Sequence, residues 1–250
     1  MIIIKTPAEI DQMREACIIS ARALKLGGEA VQPGISTLEI DNIVNEYINS
    51  QGAVASFLGY KGFPNCCCIS VNDTVVHGIP HKDCILKNGD IVSVDVGAFI
   101  NGFHGDNAAT FPCGDVCVQA LKLMDITKES LLKGIEKVAE GNRIGDIANA
   151  IQTHVENNGF SVVKNFEGHG IGVNLHEDPS IPNYGVAQRG PRLQKGMVLA
   201  IEPMVNFGDE GVRILSDGWT TITSDGNLSA HFEHTVALTE EGCVILTVCE

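Results

Sequence analysis

The chain is poor in positive charge. Its 17 lysines and arginines face 31 aspartates and glutamates, a net charge of −14, and nothing in it supplies the basic footprint that nucleic-acid binding needs. No nucleic-acid specificity is expected. No run approaches the roughly 18 apolar residues of a membrane span, so no membrane association is expected. The opening "MIIIKTPAEID" is no secretion signal, because its apolar run stops at Lys5. "TPAE" reads instead as a helix start, with Thr6 capping, Pro7 at the first helical position and Glu9 closing a capping box. Low-complexity tracts and long single-sign charge runs are missing, which excludes extended disorder. Nine cysteines, an odd number in a chain without a secretion signal, point to reduced thiols and a cytoplasmic location. "CCC" at 66–68 lacks the C-x-x-C spacing of a structural zinc site and reads as thiols buried in a strand.

What is present is ordinary globular sequence: 250 residues, 44% of them apolar, enough for one large domain or two tightly joined halves. Most of the acid excess is expected on solvated surface, with a remainder free to gather around cations. Shifted by 107 residues, the chain matches itself. "LKLGGEAVQPG" (24–34) lies on "LLKGIEKVAEG" (131–141), pairing Leu24 with Leu131, Gly27 with Gly134 and Val31 with Val138. The same shift pairs Ile40 with Ile147, Val44 with Ile151, Ile48 with Val155 and Gly52 with Gly159, apolar positions at helical spacing that end in a glycine.

It also lays "NGDIVSVDVG" (88–97) on "KGMVLAIEPM" (195–204), two short strand-like runs that arrive at Asp95 and Glu202. Two similar halves follow, roughly 20–111 and 127–240, inside a single catalytic domain of residues 1–250. The expected assembly is an α+β domain with pseudo-two-fold symmetry. Beyond position 97 the register fails, but Asp106 in "HGDNAATF" and Glu233 in "FEHTVAL" each precede an apolar run, again one acid per half. Strand hairpins are expected for 91–97 with 106–111 and for 197–204 with 233–239.

Four carboxylates converging on one place repel each other and titrate upward unless cations neutralise them. Carboxylates with one or two imidazoles suit Mn, Fe, Co or Zn, and bridging carboxylates hold two metals close together. His169, between the glycines of "GHGIG", fits as the imidazole ligand, while His77 and His176 are candidates to donate to a substrate or oxyanion. The remaining histidines read as surface or core polar residues, His231 and His234 less firmly because they flank Glu233. Phosphate binding is the rival reading of "EGHGIGVNLHE" (167–177). It fails on spacing, since the stretch is G-x-G-x-G rather than G-x-G-x-x-G and no G-x-x-x-x-G-K-[ST] occurs anywhere. Asn174, Asp178, Pro179, Pro182 and Gly185 then predict loop rather than helix after it.

"DVGAFINGFHGDNAATF", "GHGIGVNLHEDPSIPNYG", "GMVLAIEPM" and "SAHFEHTVAL" resemble the metal-binding segments of the type I methionine aminopeptidases, M24 metallopeptidases of the pita-bread (creatinase/aminopeptidase) fold. The resemblance covers essentially the whole chain, including "YKGFPNCCCISVNDTVVHGIP" ahead of the first ligand. A type II insertion and an N-terminal zinc-binding extension are both missing, as in the short bacterial form. The resemblance implies a curved antiparallel sheet with helices on its outer face. It also implies two divalent metals (Co²⁺, Mn²⁺, Fe²⁺ or Zn²⁺) held by Asp95, Asp106, His169, Glu202 and Glu233, with Asp106 and Glu233 bridging.

The same resemblance implies the chemistry: a metal-activated water attacks the peptide bond after an N-terminal methionine, with a small second residue preferred. Glu202 would accept the proton, His77 would hold the substrate beside the scissile bond, and His176 would stabilise the oxyanion. The methionine pocket would be lined at Phe57, Tyr60, Phe63, Cys68, Leu175 and Trp219. Two of these depart from a common bacterial pattern, in which cysteine replaces Phe57 and phenylalanine replaces Leu175. Asn72, Thr74 and Ser229 match an auxiliary monovalent-cation site. The implied protein is a cytoplasmic monomer acting on nascent polypeptide N-termini at the ribosome. Two rivals stand beside it: an Xaa-Pro aminopeptidase or dipeptidase, and a non-catalytic binding protein on the same fold. Against the first, only a short helix-forming lead precedes the repeat. Against the second, no ligand is missing.

Overall fold

The structure is a computed structural model and describes residues 1–249. The chain opens with helices α1 (Pro7–Glu29) and α2 (Thr37–Ser50), then short strand β1 (Val54–Ala55), β2 (Cys67–Val71) and β3 (Thr74–Val76). Long strands β4 (Ile91–Ile100) and β5 (Phe103–Pro112) form a hairpin, followed by helices α3 (Val118–Ile135) and α4 (Ile144–Asn157). Next come β6 (Ser161–Val162), β7 (Glu167–Gly170), β8 (Glu177–Pro182), β9 (Val198–Ile201) and β10 (Met204–Asn206). The last five strands are β11 (Val212–Ile214), β12 (Thr221–Thr223), β13 (Ser229–His231), β14 (Glu233–Thr239) and β15 (Gly242–Ile245).

Local signals explain the helices. At α1 the Thr6 hydroxyl accepts from the Glu9 N–H and the Glu9 carboxylate accepts from the Thr6 N–H; Ser36 and Glu39 repeat the arrangement at α2. Each such cap is worth about 1 kcal/mol. Helices α2 and α4 are both 14 residues long and begin 107 positions apart, at Thr37 and Ile144. Each is followed by a glycine with positive φ, Gly52 and Gly159, which stops the helix in a left-handed turn that side chains avoid.

The main sheet has nine strands, ordered β1-β4-β5-β14-β9-β7-β8, with β2 added beside β4 and β15 beside β14, all antiparallel. Val92, Val94 and Val96 of β4 pack with Ile40, Val44 and Ile48 of α2 and Ala23 and Leu24 of α1. Leu199, Ile201, Val236 and Leu238 pack with Leu123 and Leu131 of α3 and Ile147 and Ile151 of α4. One face of the sheet is thereby covered by helices. Ser20 of α1 pins that face by donating to the Val96 carbonyl at 2.7 Å.

Three expectations change. Run 197–204 is split: β9 ends at Ile201 and β10 starts at Met204, because Pro203 has no N–H to give the ladder. Its partner breaks at the same place, β13 stopping at His231 and β14 starting at Glu233, so the pair bends as a unit into a second, three-stranded sheet, β13-β10-β6. Strands β9 and β14 are antiparallel neighbours, as expected, but not a hairpin, since four strands separate them in sequence. Finally, 177–182 is strand β8 and not loop; it lies at the edge of the sheet, where Pro179 and Pro182 leave no interior ladder bond unmade.

Candidate metal centre

Strand register puts the acids on one face. Asp95 pairs with Ala108, Gly97 with Asp106, and Ala108 with Glu233, so Asp95, Asp106 and Glu233 all point away from the helices. His169 pairs with Ala200, and Ala200 with Thr235, two residues from Glu233 on the same strand. Glu202 stands at the β9–β10 break, facing the same space. Thr235 ties β5 to β14 where they diverge: its hydroxyl donates to the Asp106 carbonyl at 2.7 Å and accepts from the Asp106 N–H at 3.2 Å.

His169 lies on β7, not in a loop. The glycines beside it answer close approaches: a Cβ on Gly168 would stand 2.3 Å from the Ala200 carbonyl oxygen, and one on Gly170 would stand 2.2 Å from that of Asp178. They let β7 fit between its two neighbours. Nδ1 of His169 is 2.9 Å from the Gly170 carbonyl. In the neutral ring this nitrogen must carry the hydrogen, which leaves Nε2 as an electron-pair donor. Ligand atoms of Asp106, His169 and Glu233 all lie within 4.8 Å of one another, and His169 Nε2 is 3.6 Å from Glu202.

The electrostatics are those of a site built for cations. Asp106, Glu233 and His169 are 3%, 2% and 7% exposed. Burial pushes Asp95 and Glu202 each up to about 7; Glu202 adds to the shift at Asp95, and Glu167 to that at Glu202. Asp106 and Glu233 are pushed well above the carboxylate range, by burial first and then by the neighbouring acids. Asp95 Oδ1, Asp106 Oδ1 and Glu233 Oε1 are buried without a hydrogen-bond partner. Orphaned buried oxygens at this density are costly unless a cation satisfies them. The donor set, four carboxylates and one imidazole, fits two divalent cations of the first transition row.

A second group of possible ligands, Asp41, Cys66 and Cys67, is already satisfied. Asp41 Oδ1 accepts from the main-chain N–H groups of Cys66 and Cys67, both at 3.1 Å, and burial raises the Cys67 thiol well above its usual range. Of the "CCC" run, only Cys68 faces the acids.

A cavity of about 290 Å³ opens onto the carboxylates and contains every expected pocket residue: Phe57, Tyr60, Phe63, Cys68, Leu175 and Trp219. Phe57, Phe63, Cys68 and Leu175 form one buried cluster with Tyr60 and Trp219 against it. His77 enters edge-on to Phe166 (5.3 Å) and Trp219 (6.1 Å), on a left-handed residue with φ of 59°. His176 stacks on His169 at 4.0 Å and on Tyr60 at 5.3 Å. Burial lowers His77 to about 4 and His176 to about 3, so both are neutral donors. Sequence reasoning missed Val76, Phe166 and Met204 in this wall; Met204 was signalled by its period-two spacing from Glu202. It also left His231 aside, whose buried Nε2 stands 3.5 Å from Glu202.

Two of the auxiliary cation residues lie side by side. Ser229 N–H donates to the Asn72 carbonyl at 2.9 Å. The Asn72 side-chain amide donates to Asp90 and accepts from the Ile91 N–H, and the Ser229 hydroxyl donates to the Val205 carbonyl.

The family model of metallopeptidase family M24 matches residues 11–240. Methionine aminopeptidase 1 of Bacillus subtilis is 53% identical over 247 residues, covering 99% of both chains. The crystal structure of methionine aminopeptidase from Thermotoga maritima superposes with a TM-score of 0.97 at 46% identity, covering 99% of each chain. The Xaa-Pro dipeptidase of Bacillus anthracis shares the fold, with a TM-score of 0.80 at 22% identity; this chain spans 62% of its length.

Proposed function

The chain belongs to metallopeptidase family M24 and has its pita-bread fold, and on that premise we propose that it is a methionine aminopeptidase removing the initiator methionine from nascent proteins. The observation that carries this reading is the apolar cavity at residues 57–68, 175 and 219, ending on the buried acids. It suits one unbranched apolar side chain with its amide at the carboxylates.

We assign the roles as follows. Asp95, Asp106, His169, Glu202 and Glu233 would hold two divalent ions; cobalt, manganese, iron and zinc all suit this donor set. Bound there, the ions would polarise the scissile carbonyl and bring the pKa of a water toward neutrality. Glu202 accepts a proton from the attacking water at its carboxylate and returns one to the leaving amine. His176 donates an N–H to the carbonyl oxygen as negative charge develops there, and His77 donates to the substrate beside the scissile bond. The free α-amine of the substrate would meet the metal site beside Asp95, which selects unblocked N-termini. We place the activity in the cytoplasm, in one catalytic domain; all nine cysteines are free thiols.

Methionine release from a Met-Ala-Ser peptide, supported by Co²⁺ or Mn²⁺ and abolished by a chelator, tests the reading. Metal-loaded protein that cleaves Ala-Pro peptides and leaves Met-Ala-Ser intact would establish the Xaa-Pro alternative instead.

A further inference from the structure

Lys5 and Glu177 form an ion pair with Nζ and Oε2 2.5 Å apart, and each side chain is 3% exposed. Neither residue touches the carboxylate cluster. Burying two charges costs more desolvation than an apolar pair of the same size, so an ion pair here has to supply something that greasy packing does not. What it supplies is direction. The second oxygen of Glu177 accepts from the Asn174 N–H at 3.0 Å, and the Gly172 N–H donates to the Asn174 carbonyl at 3.1 Å. Together these close the loop 172–177 that carries Leu175 and His176. Lys5 reaches the pair across Gly172, where an added Cβ would meet Lys5 Cε at 2.5 Å and Glu177 Oε1 at 2.9 Å. Its own N–H is tied to the Gly196 carbonyl at 2.8 Å, in the turn leading to β9. The pair thus braces the His176 loop against the strand that ends at Glu202.

We propose that Lys5 and Glu177 are positioning residues: their buried ion pair fixes the loop that holds His176 against His169 and so sets the oxyanion donor in place. The inference rests on the aminopeptidase reading for its kinetic arm only. A donor displaced by an ångström loses most of its value in the transition state and little in substrate binding.

The test compares Lys5→Met with the charge-free pair Lys5→Met/Glu177→Gln, each in wild-type and His176→Ala backgrounds. With Met-Ala-Ser and Co²⁺, the wild-type-background variants should lose about 10- to 100-fold in kcat, with KM changed less than about threefold and cobalt affinity by calorimetry unchanged. In the His176→Ala background the same changes should cost less than about twofold, the signature of action through that side chain. In metal-free protein labelled with ¹⁵N-histidine, the His176 ring resonances should shift in the variants. An equal loss in both backgrounds makes the pair merely structural and overturns the proposal, as does wild-type kcat in the folded double variant. The double variant also covers the case in which Lys5→Met, left with a lone buried carboxylate, does not fold. Should wild type fail to cleave Met-Ala-Ser, the aminopeptidase reading falls, and the resonance shift still decides whether the pair positions His176.

Discussion

His176 lies flat on His169, ring centroids 4.0 Å apart at 30°, with Tyr60 stacked on it at 5.3 Å and 9°. The ring is thus held between a metal-ligand candidate and an apolar wall before any substrate arrives. A donor held in this way costs no reorganisation as charge develops on the carbonyl oxygen. His176→Ala should therefore lower kcat by about 10²- to 10³-fold while leaving KM within a few-fold. A variant that loses affinity and keeps kcat would move His176 from the oxyanion to substrate binding.

Glu202 stands half-buried among acids and imidazoles, 3.6 Å from His169 and 3.5 Å from His231. Glu202→Gln keeps its shape and removes its capacity to take a proton. Turnover should fall by about 10²- to 10⁴-fold, with an unchanged far-ultraviolet spectrum and a melting temperature no lower than wild type in metal-free protein. Full activity in a folded Glu202→Gln variant would dismiss Glu202 as the proton carrier.

Much of this site was legible because strands repeat every two residues and the chain repeats every 107. Asp95 and Glu202 end equivalent apolar runs, and α2 and α4 begin one repeat apart. The misreading of β7 and β8 has one cause. Glycine and proline are depleted from strands, so "GHGIGVNLHEDPSIP" reads as loop. Here tertiary contact overrides propensity: Gly168 and Gly170 are required by neighbouring carbonyls less than 2.5 Å from any Cβ, and the prolines of β8 sit on an edge. Lys5 and Glu177 are 172 residues apart, and no local pattern announces such a pair. Sequence pattern gives faces and periods; it does not give which distant charge crosses to meet them.

Metal removal should leave a pH signature in stability. Burial raises Asp95 and Glu202 to about 7 and pushes Asp106 and Glu233 well above the carboxylate range, so these four acids hold more protons in the folded metal-free protein than in the unfolded chain. Their contribution to stability falls as pH rises from near 4 through about 7. Below about 6.5 it is opposed by His77, His104, His176, His231 and His234, whose lowered proton affinity favours the fold as pH rises. Above about pH 6.5 the histidines are neutral in both states and the acids decide, so chelator-treated protein should melt at progressively lower temperature up to about pH 8, and Asp95→Asn/Glu202→Gln should flatten that slope. Saturating Mn²⁺ should reverse it, since an ion at 100 times its Kd adds about 2.7 kcal/mol. A metal-free melting temperature that climbs over the same range would mean that these acids are not protonated in the fold.

Phe57 and Leu175 meet in one buried cluster, 8% and 3% exposed, beside Phe63, whose ring edge meets Trp219 at 5.2 Å. If these side chains grip methionine, Phe57→Ala leaves the terminal thioether without its contacts on one side. The loss of a few methylene-sized contacts is worth about 1–3 kcal/mol, or 10- to 200-fold. The kcat/KM for Met-Ala-Ser should fall within that range, and the advantage of methionine over leucine at the first position should narrow. Leu175→Phe added to Phe57→Ala returns volume to the cavity from the opposite wall and should recover part of the loss. Unchanged kcat/KM in Phe57→Ala, with a lowered melting temperature, would show that Phe57 packs the core and that methionine is read elsewhere in the cavity.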